Sequence, residues 1–156
     1  MKAWRWWAFA VLAAAVALGA LREFLFVNLN YQIDHVGRHT PFSYAHSLFR
    51  GWTEGMGLAT LLRWKWALAI AFIALNWGLC LLMLRVLFGR YRYAWAVSAV
   101  IGSVGLLALC FHFIGRWVPG LEDVSVRLLH AIQYPVLLIV IWAASGLAPQ
   151  RTAPRG

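Results

Sequence analysis

The sequence predicts an all-α integral membrane protein, a four-helix bundle with an amphipathic helix in its first outer loop. Hydrophobic residues make up 63% of the chain and charged residues only 12%, too few for an ordinary soluble surface. Four apolar stretches cover residues 6–22, 66–84, 94–114 and 128–147. Each is close to the ~20 residues that a helix needs to cross a bilayer. No stretch alternates with a period of two for long enough to suggest a barrel, so helices are the expected spans.

Residues 1–156 are expected to form a single membrane domain, because the four spans and an outer loop over residues 23–63 leave no room for a soluble domain. The first apolar stretch also fits a cleaved signal peptide, since it follows a basic start. Against cleavage, Trp4, Trp6 and Trp7 are typical of an interfacial belt that anchors a permanent helix. The sequence therefore favours an uncleaved first span.

The distribution of charge predicts the orientation. The short connection between the second and third stretches carries Arg85, Arg90 and Arg92 and no acid. All five acids lie in the other two connections: Glu23, Asp34, Glu54, Glu122 and Asp123. Short basic loops stay on the cytoplasmic side. We therefore expect an inner-membrane protein with both termini cytoplasmic and with loops near 23–63 and 115–126 outside.

The net charge of +9 fits a membrane surface better than a nucleic acid. The basic residues cluster at the ends of the apolar stretches, where lipid headgroups attract them. No soluble basic face with interleaved aromatic residues is present, so no nucleic-acid partner is expected. The bilayer is the first predicted partner.

The outer loop contains a candidate amphipathic helix. Thr40-Pro41 reads as an N-cap followed by proline at the first helical position. After it, apolar residues from Phe42 to Met56 recur at steps of three and four, which predicts a helix in the interface or across the mouth of the bundle. This segment is either a lid on its own bundle or a docking surface for a partner.

Within the spans, a few residues are expected to pack helices together. Asn76 lies near the middle of the second span, where an amide most often bonds a neighbouring helix. Ala94, Ser98 and Gly102 form a small-residue stripe on the third span, which lets another helix approach closely. Pro135 is expected to bend the fourth span and to free a carbonyl one turn earlier.

An outer-face polar cluster is predicted where the third and fourth spans meet: His112, Arg116, Arg127, His130 and Gln133. Because the two spans are antiparallel and joined by a short loop, His112 and His130 are expected at similar depth. The cluster is interpreted as facing headgroups and pairing with loop acids. The alternative is a haem- or ligand-binding redox bundle that uses His112 and His130 as axial ligands.

Other chemistries are less favoured. A metal site would draw on Asp34, His35, His39 and His46, but Gly37 interrupts them and no recognised ligand spacing is present. Cys110 and His112 lie on different helix faces, which argues against a thiol hydrolase. Cys80 and Cys110 are expected at opposite membrane faces and therefore unbonded. Neither a catalytic residue nor a cofactor or metal is predicted.

Some features resemble a known family. They are the residues Arg22, Phe24 and Phe26 after the first span, Arg63-Trp64 before the second, and Val126-Arg127-Leu128 with Gln133-Tyr134-Pro135 in the fourth. They resemble the small four-span membrane proteins that accompany exosortases in Bacteroidetes-type bacteria. In that pattern glutamine directly precedes proline and the arginine is often doubled, whereas here Tyr134 intervenes and Arg127 stands alone. The resemblance implies a non-catalytic accessory of an envelope protein-sorting system and assigns no active residues.

The expected role is therefore that of an accessory or interaction subunit. The chain lacks a convergent set of acid, base and nucleophile, and its small-residue stripe and outer loop suit a protein partner. That partner is either a larger membrane protein or another copy of the chain.

Overall fold

The regular structure of the chain is α-helical throughout the residues that the structure describes. The structure is a computed structural model and describes residues 3–89, 91 and 93–147. Its helices are α1 Ala3–Arg38, α2 Ser47–Thr53, α3 Leu58–Phe88, α4 Ala94–Gly115, α5 Leu121–Gln133 and α6 Val136–Leu147. The predicted all-α class is confirmed. Two of the basic residues used to predict the orientation, Arg90 and Arg92, lie outside the described residues.

Among the described helices, α1, α3 and α4 are long and apolar enough to cross a membrane. The 22 residues of α4 correspond to a length of about 33 Å, close to the thickness of a hydrocarbon core. Helices α5 and α6 pass the same test only as a pair, bent by 49° at a short break. The chain is thus compatible with a multi-pass membrane protein of three or four spans.

Helix α1 is longer than the sequence analysis expected. It runs without interruption from Ala3 to Arg38, so residues 23–38 are helical and not part of a loop. The extension is stabilised because Phe26 and Leu29 are buried at helical spacing. The helix ends at His39, which has a left-handed φ of 50°. The start of α3 at Leu58 shortens the expected loop further, to residues 39–57.

Helix α2 begins later than Thr40-Pro41 predicted, and it is short. His46 occupies its N-cap, where the ring Nδ1 accepts a hydrogen bond from the Leu48 amide. The preceding residues are irregular, and two of them bond to α1. The Ser43 hydroxyl donates to Gln32 Oε1 at 2.8 Å, and the His46 amide donates to Asn28 Oδ1. These bonds fold the loop back onto α1.

Helices α1 and α3 pack antiparallel, and their contacts divide the bundle into two ends. At the terminal end, α1, α3, α4 and α6 share a core formed by Ala8, Val11, Ala15, Cys80, Met83, Leu84, Val97, Ile101, Leu138 and Ile141. At the loop end, the buried residues are Phe26, Leu29, Ala45, Phe49, Leu61, Ala69 and Phe72. The region between these two cores is polar.

Helices α4 and α5 form a hairpin whose turn uses Gly120 at a φ of 92°. The two helices approach most closely at Gly115, where an added Cβ would lie 2.8 Å from the backbone nitrogen of Glu122. Further along, the Ser125 hydroxyl donates to the Ala108 carbonyl at 2.7 Å. These contacts fix the register of the hairpin.

Candidate functional site: a polar junction between three helices

The fourth apolar stretch is broken at Pro135, as its sequence predicted. Helix α5 ends at Gln133, Tyr134 is extended with φ −92° and ψ 156°, and α6 begins at Val136. Proline has no amide hydrogen to donate, and the last carbonyls of α5 lack donors within the helix. In an apolar environment these carbonyls need partners from elsewhere.

Asn76 of α3 supplies that partner. Its Nδ2 donates to the Ile132 carbonyl at 2.8 Å and to the Tyr134 carbonyl at 3.0 Å. The side chain is buried, with 2% of its surface exposed. The amide therefore connects α3 to the break in the fourth stretch and satisfies two backbone groups at once.

Arg22 of α1 reaches the same break from the other side. Only 1% of its surface is exposed. Its Nε donates to Gln133 Oε1 at 2.9 Å, and its Nη1 donates to the Tyr134 hydroxyl at 3.0 Å. The guanidinium also lies over two aromatic rings, 4.8 Å from the centroid of Phe26 and 4.6 Å from that of Tyr134. Such stacking favours a cation that has left water.

Glu23 balances the charge of the buried arginine. Its Oε2 lies 3.3 Å from Arg22 Nη1, and it accepts a hydrogen bond from the Tyr134 hydroxyl. The Glu23 side chain is 56% exposed, so only the arginine of this ion pair is buried. Arg22 Nη2 is buried and has no hydrogen-bond partner in the described chain. We refer to Arg22, Glu23, Asn76, Gln133 and Tyr134 as the polar junction.

The polar junction lies inside the bundle and not at an end. Arg22 is sixteen residues from Trp6, which corresponds to about 24 Å along α1. Asn76 is eleven residues from Lys65, about 16 Å along α3. Helix α1 lies against the break at Gly19, where an added Cβ would be in ordinary contact with Pro135 Cδ at 3.8 Å. Ionisable groups at such depth are costly, which makes the junction the first candidate for a functional site.

The sequence predicted only part of this junction. It placed Gln133 in an outer-face cluster and Asn76 among packing residues, and it did not assign Arg22, Glu23 or Tyr134 to a site. Arg22 and Glu23 could have been recognised as an adjacent charged pair inside a long apolar stretch. Because a loop was expected from residue 23, the pair was read as the end of a span.

The structure disperses the predicted outer-face cluster. The His112 ring packs on Trp66 with the ring centroids 5.6 Å apart, while His130 lies beside Tyr134 at 6.4 Å. The hairpin register places Gly115 opposite Glu122 and Ala108 opposite Ser125. No described contact joins the two histidine rings to each other.

The equal depth expected for His112 and His130 stays a prediction. Arg116 stacks on the ring of Phe113 at 5.8 Å. Arg127 is exposed on α5. Binding of haem between the two histidines stays a prediction, and no contact in the described chain brings them together.

The four candidate metal ligands are also engaged separately. Asp34 forms an ion pair with Arg38 at 2.7 Å, and His35 Nδ1 bonds to the Thr40 hydroxyl at 2.9 Å. His39 terminates α1, and His46 caps α2. Among the described residues, no three His, Cys, Asp or Glu side chains converge on a point that could hold a metal ion.

The small-residue stripe of α4 is used only in part. The Ser98 hydroxyl accepts a hydrogen bond from Trp77 Nε1 at 3.0 Å, which joins α4 to α3. Gly102 is exposed, and an added Cβ would meet nothing within 4 Å. Cys80 is buried and Cys110 exposed, and both are free thiols. The stripe thus leaves an open position in the middle of α4.

No family model, curated protein or solved structure matches the chain. The fold and the junction define an all-α protein with three or four helices able to cross a membrane and a buried arginine at their centre.

Proposed function

We propose that the chain is a multi-pass protein of the cell inner membrane that crosses the bilayer four times. In this proposal the bent pair of α5 and α6 is the fourth span, and both termini are cytoplasmic. The three long apolar helices and the bent pair support the number of spans. The basic, acid-free connection between the second and third spans supports the orientation.

We propose further that the protein is non-catalytic and acts as an accessory or interaction subunit of a larger membrane system. The polar junction supports a structural role, because its groups bond mainly to one another. Arg22, Gln133 and Tyr134 join α1 to the break, and Asn76 joins α3 to it. Polar groups used in this way hold a bundle together and fix the position of its helices.

The observation that carries the proposal is the open face of α4. In the most apolar part of α4 only 17% of the residues are buried, against 33% in α3. Gly102 lies on this face with free space above it, near the half-buried Ala94 and Ser98. Small residues allow two helix backbones to approach closely in lipid. A transmembrane helix of a larger membrane protein fits this face.

The family resemblance gives the proposal a more specific form, a role in exosortase-linked protein sorting. Arg22, Phe26, Gln133 and Pro135 carry part of that resemblance, whereas Tyr134 departs from the family pattern. Arg22 bonds to Gln133 and Tyr134 and stacks on Phe26, and Pro135 lies against α1 at Gly19.

A site-specific crosslink tests the proposal. A photoreactive residue at Leu106, which is 65% exposed and one turn from Gly102, is activated in native membranes. We expect an adduct with a larger membrane protein. The substitution Gly102→Leu should reduce that adduct about tenfold, because its side chain separates the helices.

Gly78→Leu is the matched control. Gly78 is also exposed with nothing within 4 Å of an added Cβ, but it lies on α3. This variant should leave the adduct unchanged, and thermal unfolding should show that both variants fold. An adduct of twice the chain's own mass would instead indicate self-association. An adduct that Gly102→Leu does not reduce would refute this interface.

A further inference from the structure

A groove lined by aromatic side chains lies between α1 and α6 at the terminal end. Its volume is about 630 Å³, which is within the usual range for small-ligand sites. Trp4, Trp6 and Phe9 line it from α1, and Trp142 lines it from α6. Trp6 is 64% exposed and Phe9 65%, so large apolar surfaces face the open groove.

No acidic side chain of the described residues neutralises the charge at this groove. Arg5 lines the groove and lies over the Trp4 ring, with its Cζ 5.7 Å from the centroid. Within the described residues, Arg5 forms no ion pair. Glu23 bonds in the polar junction, and the other four acids lie at the loop end of the bundle: Asp34 in α1, Glu54 after α2, and Glu122 and Asp123 in α5. No acidic side chain of the described residues is therefore placed to pair with Arg5, and an anion from another molecule can do so.

The combination of an apolar groove and an uncompensated arginine fits one class of molecule. Tryptophan side chains collect at the level of lipid headgroups, where the ring is apolar and the indole N–H can donate. A guanidinium binds phosphate through two parallel hydrogen bonds. A molecule with a phosphate beside hydrocarbon chains satisfies both parts of the site.

We propose that this groove binds one anionic phospholipid. Its phosphate pairs with Arg5, and an acyl chain lies against Trp6, Phe9 and Trp142. This inference rests on the membrane placement in the proposed function, but it does not depend on the accessory role. It assigns a ligand to the end of the bundle opposite the outer loop.

Native mass spectrometry of the full chain in mild detergent tests the site. The chain is incubated with equal amounts of phosphatidylglycerol and phosphatidylcholine that carry the same acyl chains. We expect retention of one phosphatidylglycerol per chain, with a preference of about tenfold over phosphatidylcholine, because the quaternary ammonium of phosphatidylcholine offsets the charge of the phosphate that pairs with Arg5. Arg5→Gln should abolish the preference. Arg116→Gln, which removes an exposed arginine from the loop end, should preserve it.

The apolar half of the site has its own pair of variants. Phe9→Ala should lower retention of both lipids, while Phe113→Ala, at a comparably exposed aromatic residue of α4, should not. Three results would overturn the site: equal retention of the two lipids by the unmodified chain, a preference that survives Arg5→Gln, or a preference that Arg116→Gln removes equally. The membrane placement is checked separately by resistance to alkaline carbonate extraction, so that failure of the lipid site is distinguishable from failure of the proposed function.

Discussion

Arg22 and Arg5 lie on the same helix and each contacts an aromatic ring, yet their surroundings differ in almost every other respect. Arg22 is buried, bonds to Gln133 and Tyr134, and has a carboxylate beside it. Arg5 is exposed, and its only described contact is with Trp4. The difference teaches that residue type alone does not assign a role in a membrane bundle. The buried arginine organises the fold, whereas the exposed arginine is available to a ligand.

The largest expected effect comes from Arg22→Ala. This variant should lower the free energy of unfolding by about 3 kcal/mol, because it leaves Gln133 without its partner and creates a cavity. Arg5→Ala, on the same helix, should change it by less than about 0.5 kcal/mol. Unfolding in detergent, followed by circular dichroism, measures both values. Equal losses for the two arginines would break the comparison.

Asn76→Leu sharpens the comparison, because it tests the junction from α3. The variant leaves the carbonyls of Ile132 and Tyr134 without their donor, and we expect a loss of about 2 kcal/mol in the free energy of unfolding. Asn30→Leu on the exposed side of α1 is the control and should cost less than about 0.5 kcal/mol. If Asn76→Leu lowers the free energy of unfolding less than Asn30→Leu does, the side-chain amide of Asn76 does not stabilise the break at Pro135.

Helix α4 has one glycine packed against α5, Gly115, and one in open space, Gly102. Substitutions at these two glycines should change the free energy of unfolding less than Arg22→Ala or Asn76→Leu. Gly115→Ala should destabilise the protein by about 1–2 kcal/mol, because the new Cβ would lie 2.8 Å from a backbone atom of α5. Gly102→Ala should be neutral or stabilising by up to about 1 kcal/mol, since it improves helix propensity in open space. Changes of the same sign at both glycines, measured by thermal unfolding, would contradict the assigned packing.

Prediction from sequence succeeded where a local property decides the outcome. The all-α class followed from the hydrophobic composition, and the bend followed from Pro135, which cannot donate a backbone hydrogen bond. The helix boundaries were harder to predict. The polar residues of α1 suggested a loop from residue 23, but Asn28 and Gln32 are bonded by the segment that folds back onto them. A polar side chain can stay in a buried helix when it has a hydrogen-bond partner. For Asn28 and Gln32 these partners come from another segment, so the local sequence did not indicate them.

The candidate site shows the same limit. Glu23 and Tyr134 are 111 positions apart, and no spacing along the chain connects them. The equal depth expected for His112 and His130 stays a prediction, and the two rings contact different residues in the structure, Trp66 and Tyr134.

The sequence by itself determined that the chain is helical, that its helices can cross a membrane, and that one stretch breaks at Pro135. These properties depend on hydrophobicity, length and backbone chemistry, which each residue carries wherever it lies. Only the tertiary structure decided that Arg22 contacts the break and Arg5 faces an open groove. The reason is that burial and hydrogen-bond partners arise from helices packed side by side, so the environment of a charge is a property of the fold.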